Sequence, residues 1–171
     1  MPLPGKPFIS QARIQKRVRE MARDITKHYK NKPLTVVGLM NGSLFFMVDL
    51  IRQLPPDTKI ECWKVSSYRG KKSTNRIQGL DGYEGNYDGR HVLLLDDILD
   101  TGRTLFETRK KLLKAGALSV KTVVLLSKNV PRVCDINADW TGFEIDNRYV
   151  IGYGLDYNHL YRPLPMIRIL D

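Results

Sequence analysis

Three closely spaced aspartates, Asp96, Asp97 and Asp100, are the residues of this chain best suited to do chemistry. The first two follow the apolar run Val92 to Leu95, which predicts a buried strand, and the third opens the turn Thr101 to Thr104, before an amphipathic helix. A glycine-containing turn that leads into a helix directs backbone N–H groups at an anion, so this turn predicts a phosphate site. Carboxylates would repel that phosphate. We therefore expect them to face sugar hydroxyls, Mg²⁺ or a proton to be removed.

A strand that ends in two acids is also typical of the Walker B element of P-loop enzymes. The chain contains no G-x-x-x-x-G-K-[ST] sequence, so the phosphate-binding half of such an enzyme is missing. It also has no G-x-G-x-x-G fingerprint, because Gly152-Tyr153-Gly154 lacks the third glycine. The acids and the Thr-Gly-Arg-Thr turn together therefore indicate a phosphate site of another kind.

Hydrophobic periodicity divides the chain into alternating strands and helices. Helices are predicted at 10–29, 44–54 and 104–114, and strands at 34–39, 60–65, 92–95 and 120–126. Such alternation predicts an α/β fold with a doubly wound parallel sheet flanked by helices, in which ligands bind at the carboxyl ends of the strands. The tail from about Asp139 has short apolar pieces, aromatic residues and turns, and we expect it to form a small cap.

Length and composition indicate one domain in a reducing compartment. A chain of 171 residues predicts a single core. No apolar run reaches membrane-spanning length and the first residues lack a signal sequence, so we expect a cytoplasmic protein without a membrane partner. Cys62 and Cys134 have no paired spacing and are expected to be reduced and buried.

The net charge of +10 calls for an anionic partner. Nucleic acid is one reading, and a highly phosphorylated small substrate steered into a basic cleft is the other. Much of the charge lies on two predicted helices, where most of it is expected to face water: Arg13, Lys16, Arg17, Arg19, Arg23 and Lys27 on one, and Arg109, Lys110, Lys111 and Lys114 on the other.

Two segments resemble a known enzyme family. The stretch Asp96 to Thr104 resembles the phosphoribosyl-pyrophosphate (PRPP) motif of the type I phosphoribosyltransferases, and the tail Gly142 to Asn158 resembles the hood of the hypoxanthine-guanine phosphoribosyltransferases. The resemblance covers about residues 8–170. It implies the type I phosphoribosyltransferase fold, with a core at about 8–130 and a C-terminal hood at about 131–171 that the N-terminus assists. It also implies transfer of a phosphoribosyl group from PRPP to hypoxanthine or guanine, giving IMP or GMP and pyrophosphate.

The resemblance implies a role for each residue of the PRPP motif. Asp96 and Asp97 would hold the ribose hydroxyls and hydrated Mg²⁺, the implied cofactor. Asp100 would be the catalytic base on the imidazole side of the purine. Thr101, Gly102, Arg103 and Thr104, with Asp100, would complete the ribose 5′-phosphate site through backbone amides and hydroxyls.

A second loop, Leu39 to Ser43, would bind pyrophosphate through Met40, Asn41 and Gly42, and Arg162 would assist. Family members often have lysine and glycine where this chain has Met40 and Asn41, so a backbone role survives while any ammonium role is absent. The family holds a cis peptide in this loop, which would correspond to Leu39–Met40 here.

Four residues would recognise the purine. Lys128 follows a buried strand and would donate to the 6-oxo group, a contact that selects oxopurines over adenine, whose 6-amino group is a donor. Tyr149 would stack on the base, Val150 would offer backbone groups to its edge, and Asp156 would contribute to the purine site and reach the metal through water.

Ser67 and Tyr68 open a polar segment that, in the family, forms a lid excluding water from the reaction centre. A plain surface loop is an equally good reading of that segment. The resemblance further implies a homodimer or homotetramer. An RNA-binding regulator on the same fold is the weaker alternative, since such a protein is not expected to carry the purine-type tail. Preference among hypoxanthine, guanine and xanthine stays open.

Overall fold

A computed structural model describes residues 4–67, 77–83 and 85–170 of the chain. In these residues the strands are β1 (Lys6–Ile9), β2 (Leu34–Met40), β3 (Lys59–Lys64), β4 (Ser66–Ser67), β5 (Ile77–Gln78), β6 (His91–Leu99), β7 (Ser119–Lys128), β8 (Trp140–Ile145), β9 (Val150–Ile151) and β10 (Ile167–Ile169). The helices are α1 (Gln11–His28), α2 (Leu44–Ile51) and α3 (Arg103–Lys114), and a single 3-10 turn spans Leu80–Gly82.

A five-stranded sheet in the order β3-β2-β6-β7-β8 organises the domain, and every neighbouring pair in it is parallel. Parallel strands need helices on their faces to bury them. Helices α1 and α2 pack with Leu93 and Leu95 on one face, while α3 packs with Val92 and Leu94 on the other. This arrangement confirms the predicted α/β class of a parallel sheet flanked by helices.

Helix α1 shows how apolar spacing positions an element. Ser10 caps it by accepting a hydrogen bond from the N–H of Arg13 at 3.4 Å. Residues three and four positions apart form a continuous buried stripe against the sheet: Ile14, Val18, Met21, Ala22 and Ile25. Helix α2 is shorter than predicted, since it ends at Ile51 rather than at Leu54.

Two basic residues predicted to face water are instead used to join elements. Arg17 donates to the carbonyl oxygens of Thr141 at 2.8 Å and Gly142 at 3.0 Å, on the edge strand β8. Lys111 donates to the carbonyl oxygen of Leu80. Edge strands and turns leave backbone acceptors without a ladder partner, and long cationic side chains can reach them. The other basic residues predicted on the solvent faces of α1 and α3 are exposed.

Strand β6 is longer than predicted and contains both aspartates of the Asp96-Asp97 pair. Its pairing with β2 stops at Leu95, opposite Gly38, whereas its pairing with β7 continues to Leu99, opposite Ser127. The strand therefore extends past its predicted end on one side only. Beyond Leu95 its β2 side opens into the space where ligands bind in open α/β sheets.

The hood is built from both ends of the chain. Strands β1, β10 and β9 form a three-stranded antiparallel sheet, in which the N-terminal Lys6 lies opposite Ile169. Strand β8 lies within the range predicted for the hood, but it pairs with β7 as the fifth strand of the main sheet. The buried hood residues Val150 and Ile167 join the same core as α1. Because of this shared core, the hood is fixed to the sheet.

The remaining features concern cysteines and membrane helices. Cys62 is exposed on the edge strand β3, contrary to the expected burial, and Cys134 is half-buried; both are free thiols. Among the residues that the structure describes, no helix is long and apolar enough to cross a membrane.

Candidate active site

A cavity of about 650 Å³ opens at the carboxyl ends of β2 and β6. Its walls come from four parts of the chain: the end of β2 with the loop after it (residues 39–42), the end of β3 (residues 64–65), the end of β6 with the turn after it (residues 96–105), and the hood. Asp156 and Arg162 contribute the hood side. The strand ends therefore bring together the two predicted phosphate loops and the paired carboxylates.

The turn between β6 and α3 has the geometry of an anion cradle. Gly102 lies in the left-handed region at φ +86°, and a Cβ there would meet Ile136 Cγ2 at 2.6 Å, so the position requires glycine. The first amides of a helix have no partner inside the helix. Within the described part of the chain, the N–H groups of Thr101, Gly102, Thr104 and Leu105 donate to no protein acceptor. They and the α3 dipole are available to an anion.

Asp96 and Asp97 both line the cavity although they are consecutive in a strand. Strict alternation would place Ile98 on the face of Val92, yet Ile98 packs with the opposite core, so the alternation shifts by one residue across the pair. Burial, and then the neighbouring Asp97 charge, raise the pKa of Asp96 well above its usual range. Burial also raises the pKa of Asp97, while the Arg162 charge acts in the opposite sense. The site holds two carboxylates that repel each other.

Strand β6, the loop at Gly42 that is predicted to bind pyrophosphate, and the hood pack closely against one another. A Cβ at Gly42 would lie 1.7 Å from Asp97 Oδ2, so the loop backbone rests directly on that carboxylate. A Cβ at Gly154, where φ is +101°, would lie 1.9 Å from the carbonyl oxygen of Gly42. The glycines thus let strand β6, the loop and the hood approach one another at van der Waals distance.

The cis peptide bond of this loop lies between Met40 and Asn41, one position after the predicted Leu39–Met40 bond. Met40 is still paired with Lys64 in the ladder between β2 and β3, so the chain is regular strand up to that residue. The loop begins only after Met40. Ser43 Oγ then donates to the carbonyl oxygen of Leu39 at 2.5 Å and ties the loop back to the strand.

Asp100 and Lys128 meet at the ends of adjacent strands. Lys128 Nζ lies 3.4 Å from Asp100 Oδ2 and 3.4 Å from Asn147 Oδ1. The lysine side chain is 13% exposed and the aspartate side chain 31% exposed, so the ion pair is partly shielded from water. A cationic donor and a carboxylate acceptor therefore sit side by side next to the anion cradle.

The hood residues form a second connected set. Arg162 Nη2 pairs with Asp156 Oδ1 at 2.7 Å, and its other terminal nitrogen donates to the carbonyl oxygen of Gly154. Asp156 Oδ2 accepts the N–H of His159 at 2.8 Å. The side chain of Tyr149 is exposed, and its hydroxyl donates to the carbonyl oxygen of Asp156 at 3.1 Å.

Most of the residues predicted for the site do line this cavity: Met40, Asn41, Gly42, Asp96, Asp97, Asp100, Thr101, Gly102, Arg103, Thr104, Asp156 and Arg162. Three purine-site residues do not line it. Lys128 adjoins the cavity through Asp100, the side chain of Tyr149 is exposed, and Val150 is buried in β9 opposite Ile169. Of the predicted lid, Ser67 belongs to β4, which pairs with β5, and Tyr68 lies outside the described residues.

Sequence reasoning missed four residues at or beside the site. Lys64 and His159 line the cavity, Asn147 contacts Lys128, and Arg132 donates to the carbonyl oxygen of Asp100. The strand-end argument applied to Lys128 could equally have found Lys64, which ends β3. Nothing local marks Arg132, because the carbonyl groups of Leu99 and Asp100 that it holds lie 33 and 32 positions away along the chain.

The side chains at the site could supply only some of the ligands that Mg²⁺ needs. The described residues contain no group of three side chains able to enclose a metal ion. Mg²⁺ is commonly held by one or two carboxylates together with substrate oxygens and water. Asp96 and Asp97, whose mutual repulsion a cation would relieve, match that pattern. Asp156 is already engaged by Arg162 and His159, so it suits a contact through water.

A parallel sheet with this cradle, paired acids and facing loop is the architecture of a phosphoribosyltransferase, and the chain belongs to that family. The family model described as phosphoribosyl transferase domain matches residues 10–158. The chain is 39% identical over 166 residues to the hypoxanthine-guanine-xanthine phosphoribosyltransferase of Tritrichomonas foetus, covering 94% of this chain and 88% of that protein.

Solved structures show the same likeness in three dimensions. A hypoxanthine phosphoribosyltransferase from Staphylococcus aureus superposes with a TM-score of 0.90 at 37% identity, covering 97% of this chain and 91% of that one. The hypoxanthine phosphoribosyltransferase from Trypanosoma cruzi, in complex with the product IMP, superposes with a TM-score of 0.89 at 34% identity, covering 100% and 96%. The chain is thus a phosphoribosyltransferase similar to those of hypoxanthine salvage.

Replacing Asp96 by Asn is expected to stabilise the metal-free protein at neutral pH. The raised pKa means that the folded state holds the Asp96 proton more tightly than the unfolded state does. Stability therefore falls as the pH rises from about 4, the ordinary carboxyl value, through the raised value. The Asn variant escapes this loss, and each kcal/mol gained corresponds to ~2–4 °C in melting temperature.

Thermal unfolding in a chelating buffer between about pH 4 and pH 8 measures this difference, which should shrink toward the acid end. Asp135→Asn, which removes an exposed carboxylate, is the matched control. A lower melting temperature for Asp96→Asn at neutral pH would contradict the assigned repulsion.

Proposed function

We propose that this chain transfers the 5-phosphoribosyl group from PRPP to hypoxanthine and guanine, releasing pyrophosphate and forming IMP or GMP. The contact between Lys128 and Asp100 carries the proposal. One group can donate to a 6-oxo oxygen, and the other can accept a proton from the imidazole side of the same base. The named relative from T. foetus and the IMP complex from T. cruzi support this choice of base.

Binding of PRPP would use both loops of the cavity. The amides and hydroxyls of Thr101–Thr104 would hold the 5′-phosphate at the start of α3, including the backbone of Arg103. The loop Met40–Gly42 and Arg162 would hold the pyrophosphate on the facing wall. Asp96 and Asp97, which line the same cavity as both loops, would accept hydrogen bonds from the ribose hydroxyls.

Asp96 and Asp97 would also hold Mg²⁺, with Asp156 acting through water. The ion, when bound, neutralises charge on the leaving pyrophosphate. The half-buried carboxylates have a second effect: they stabilise the positive charge that develops on the sugar as the bond from C1 to pyrophosphate lengthens.

Proton removal is assigned to Asp100. As the purine nitrogen bonds to C1 of the ribose, the imidazole ring loses a proton, and the Asp100 carboxylate would accept or hold it. Lys128 would donate to the 6-oxo group from the neighbouring strand end, so recognition of the base and proton removal occur side by side. Tyr149 would stack on the ring, and the backbone of Val150 would meet its edge.

Exclusion of water would come from the segment that begins at Ser67 and Tyr68. A sugar cation exposed to water would be hydrolysed, so closure over the cavity favours transfer. Strands β4 and β5, which pair with each other, flank that segment. We further propose a cytoplasmic homodimer or homotetramer with no membrane partner and no nucleic acid requirement.

The deciding experiment is nucleotide formation from PRPP and Mg²⁺ with hypoxanthine, guanine, xanthine and adenine in parallel. Formation of IMP with adenine inert supports the oxopurine assignment and ranks the three oxopurines. Failure of all four bases with folded protein would refute the proposal, and salt-dependent RNA binding would then be tested.

Replacing Lys128 by Gln is expected to reduce kcat/KM for hypoxanthine by about 10²-fold or more, because the 6-oxo group loses its charged donor. Turnover of adenine, already poor, should change far less, so the selectivity ratio collapses. The comparison uses Lys114→Gln, an exposed lysine on α3, as its control. Equal fractional losses for hypoxanthine and adenine would show that Lys128 does not read the 6-position.

A further inference from the structure

We propose that Arg132 is a positioning residue that sets the phosphate cradle and the Asp100 base together. The inference rests on the proposed function, since it assigns roles within the same site. Arg132 lies in the segment after β7 and lines no part of the cavity. Its effect must therefore pass through the groups that it holds.

The half-buried guanidinium of Arg132 joins three acceptors on two elements. Its Nη1 donates to the carbonyl oxygens of Leu99, at 3.3 Å, and of Asp100. Its Nη2 donates to Ser127 Oγ at 2.8 Å. Ser127 directly precedes Lys128, so one side chain links the turn that carries the base to the strand end that carries the purine-recognising lysine.

The residues that follow Arg132 continue the same support. The N–H of Val133 donates to the carbonyl oxygen of Thr101 at 3.0 Å, and Ile136 occupies the space that a Cβ at Gly102 would need. Three successive carbonyl groups, those of residues 99, 100 and 101, thus point at the segment 132–136. That segment forms the back wall of the turn.

This back wall determines where the amides of the turn point. In a planar trans peptide, the C=O of one residue and the N–H of the next are directed to opposite sides. The carbonyl groups of Asp100 and Thr101, held at the back by Arg132 and Val133, therefore place the N–H groups of Thr101 and Gly102 on the opposite side, toward the cavity. Arg132 in this way orients amide donors that it never touches.

Arginine is suited to this task where lysine is not. A guanidinium presents several N–H donors in a fixed plane, so it can hold carbonyl groups and a hydroxyl in one fixed arrangement. A lysine at position 132 would keep the charge but supply a single flexible ammonium group. The rigid fork, and not the charge alone, is what the three acceptors require.

The test compares Arg132→Lys with Arg109→Lys, an exposed arginine on α3. We expect Arg132→Lys to lower kcat and to weaken IMP binding, each by about tenfold or more, because displacement of catalytic groups by ~1 Å can cost 10²-fold. Binding of pyrophosphate with Mg²⁺, which uses the opposite loop, should change by less than about twofold. Calorimetric titration with IMP and with pyrophosphate separates the two sites, and Arg109→Lys should match the wild type in all three quantities.

Two results would overturn the positioning role. One is a kcat and IMP affinity within about twofold of wild type, since a 1 Å shift would cost more. The other is a parallel loss of IMP and pyrophosphate binding, which a general loss of structure would cause. Arg132→Gln, whose amide still donates two hydrogen bonds, replaces the lysine variant if that protein does not fold. Absence of transfer in the wild type would refute the proposed function itself, so the two failures are distinguishable.

Discussion

Asp100→Asn is expected to lower kcat for IMP formation by ~10²–10⁴-fold while PRPP binding stays close to that of the wild type. Asparagine has the same shape and can still accept a hydrogen bond from Lys128, but it cannot take a proton. The turn itself should keep its place, because Arg132 holds the backbone carbonyl of residue 100 and not its side chain. The loss therefore isolates proton removal.

Steady-state kinetics with hypoxanthine and direct titration with PRPP and Mg²⁺ measure the two quantities separately. Asp24→Asn, which removes an exposed carboxylate on α1 away from the cavity, controls for the loss of one negative charge. If turnover and PRPP affinity fall by comparable factors, Asp100 acts in binding, and the base assignment is wrong.

Gly42→Ala is expected to reduce kcat/KM for PRPP by about 10²-fold or more, since ~1 Å displacements at a reaction centre have that effect. The added Cβ would lie 1.7 Å from Asp97 Oδ2 and 2.6 Å from its Cγ. Either the carboxylate must leave its place beside Asp96 or the pyrophosphate-type loop must move. Both changes alter the distance between the ribose site and the leaving group.

Gly82→Ala is the matched control, because a Cβ there meets no atom within 4 Å and no positive φ is involved. Melting temperatures of both variants show whether folding is affected. Near wild-type kcat/KM in a folded Gly42→Ala protein would mean that the contact between this loop and Asp97 is not used in PRPP binding.

These two variants separate the halves of the proposed reaction. In the proposed reaction, Asp100 would lie on the purine side of the ribose and Gly42 on the pyrophosphate side. If Asp100→Asn loses turnover but keeps PRPP affinity, and Gly42→Ala loses the use of PRPP, the sugar would lie between these two residues. In-line departure of pyrophosphate and attack of the purine at C1 require that position.

The stretch from Val92 to Thr104 shows how much local sequence can determine. The four apolar residues from Val92 to Leu95 favour a buried strand, and the acids that follow them favour a strand end open to polar groups. Gly102 permits the left-handed turn from which α3 starts. These are properties of residue type at fixed spacing, so the parallel α/β class and most of the cavity-lining residues could be predicted from the sequence.

The tertiary structure alone decided how the site is completed. The sequence predicted that β6 ends at Leu95, but parallel pairing with β7 extends the strand to Leu99. Pairing of β6 with β2 stops at Leu95, so the edge of β6 that faces β2 is open beyond that residue. Strand β8 joined the main sheet although its residues resembled the hood. Strand pairing is a contact between distant segments, and no local period in the sequence encodes which pairs form or where they stop.

The same reason explains the supporting contacts. That Gly42 lies against Asp97, and that Arg132 holds the carbonyl group of Asp100, depends on chain segments meeting after the sheet has formed. The sequence by itself determined which chemical groups are present and in what order. The fold determined the distances between these groups. Burial of the two cores brings the strand ends side by side, and the strand ends position the residues of the site.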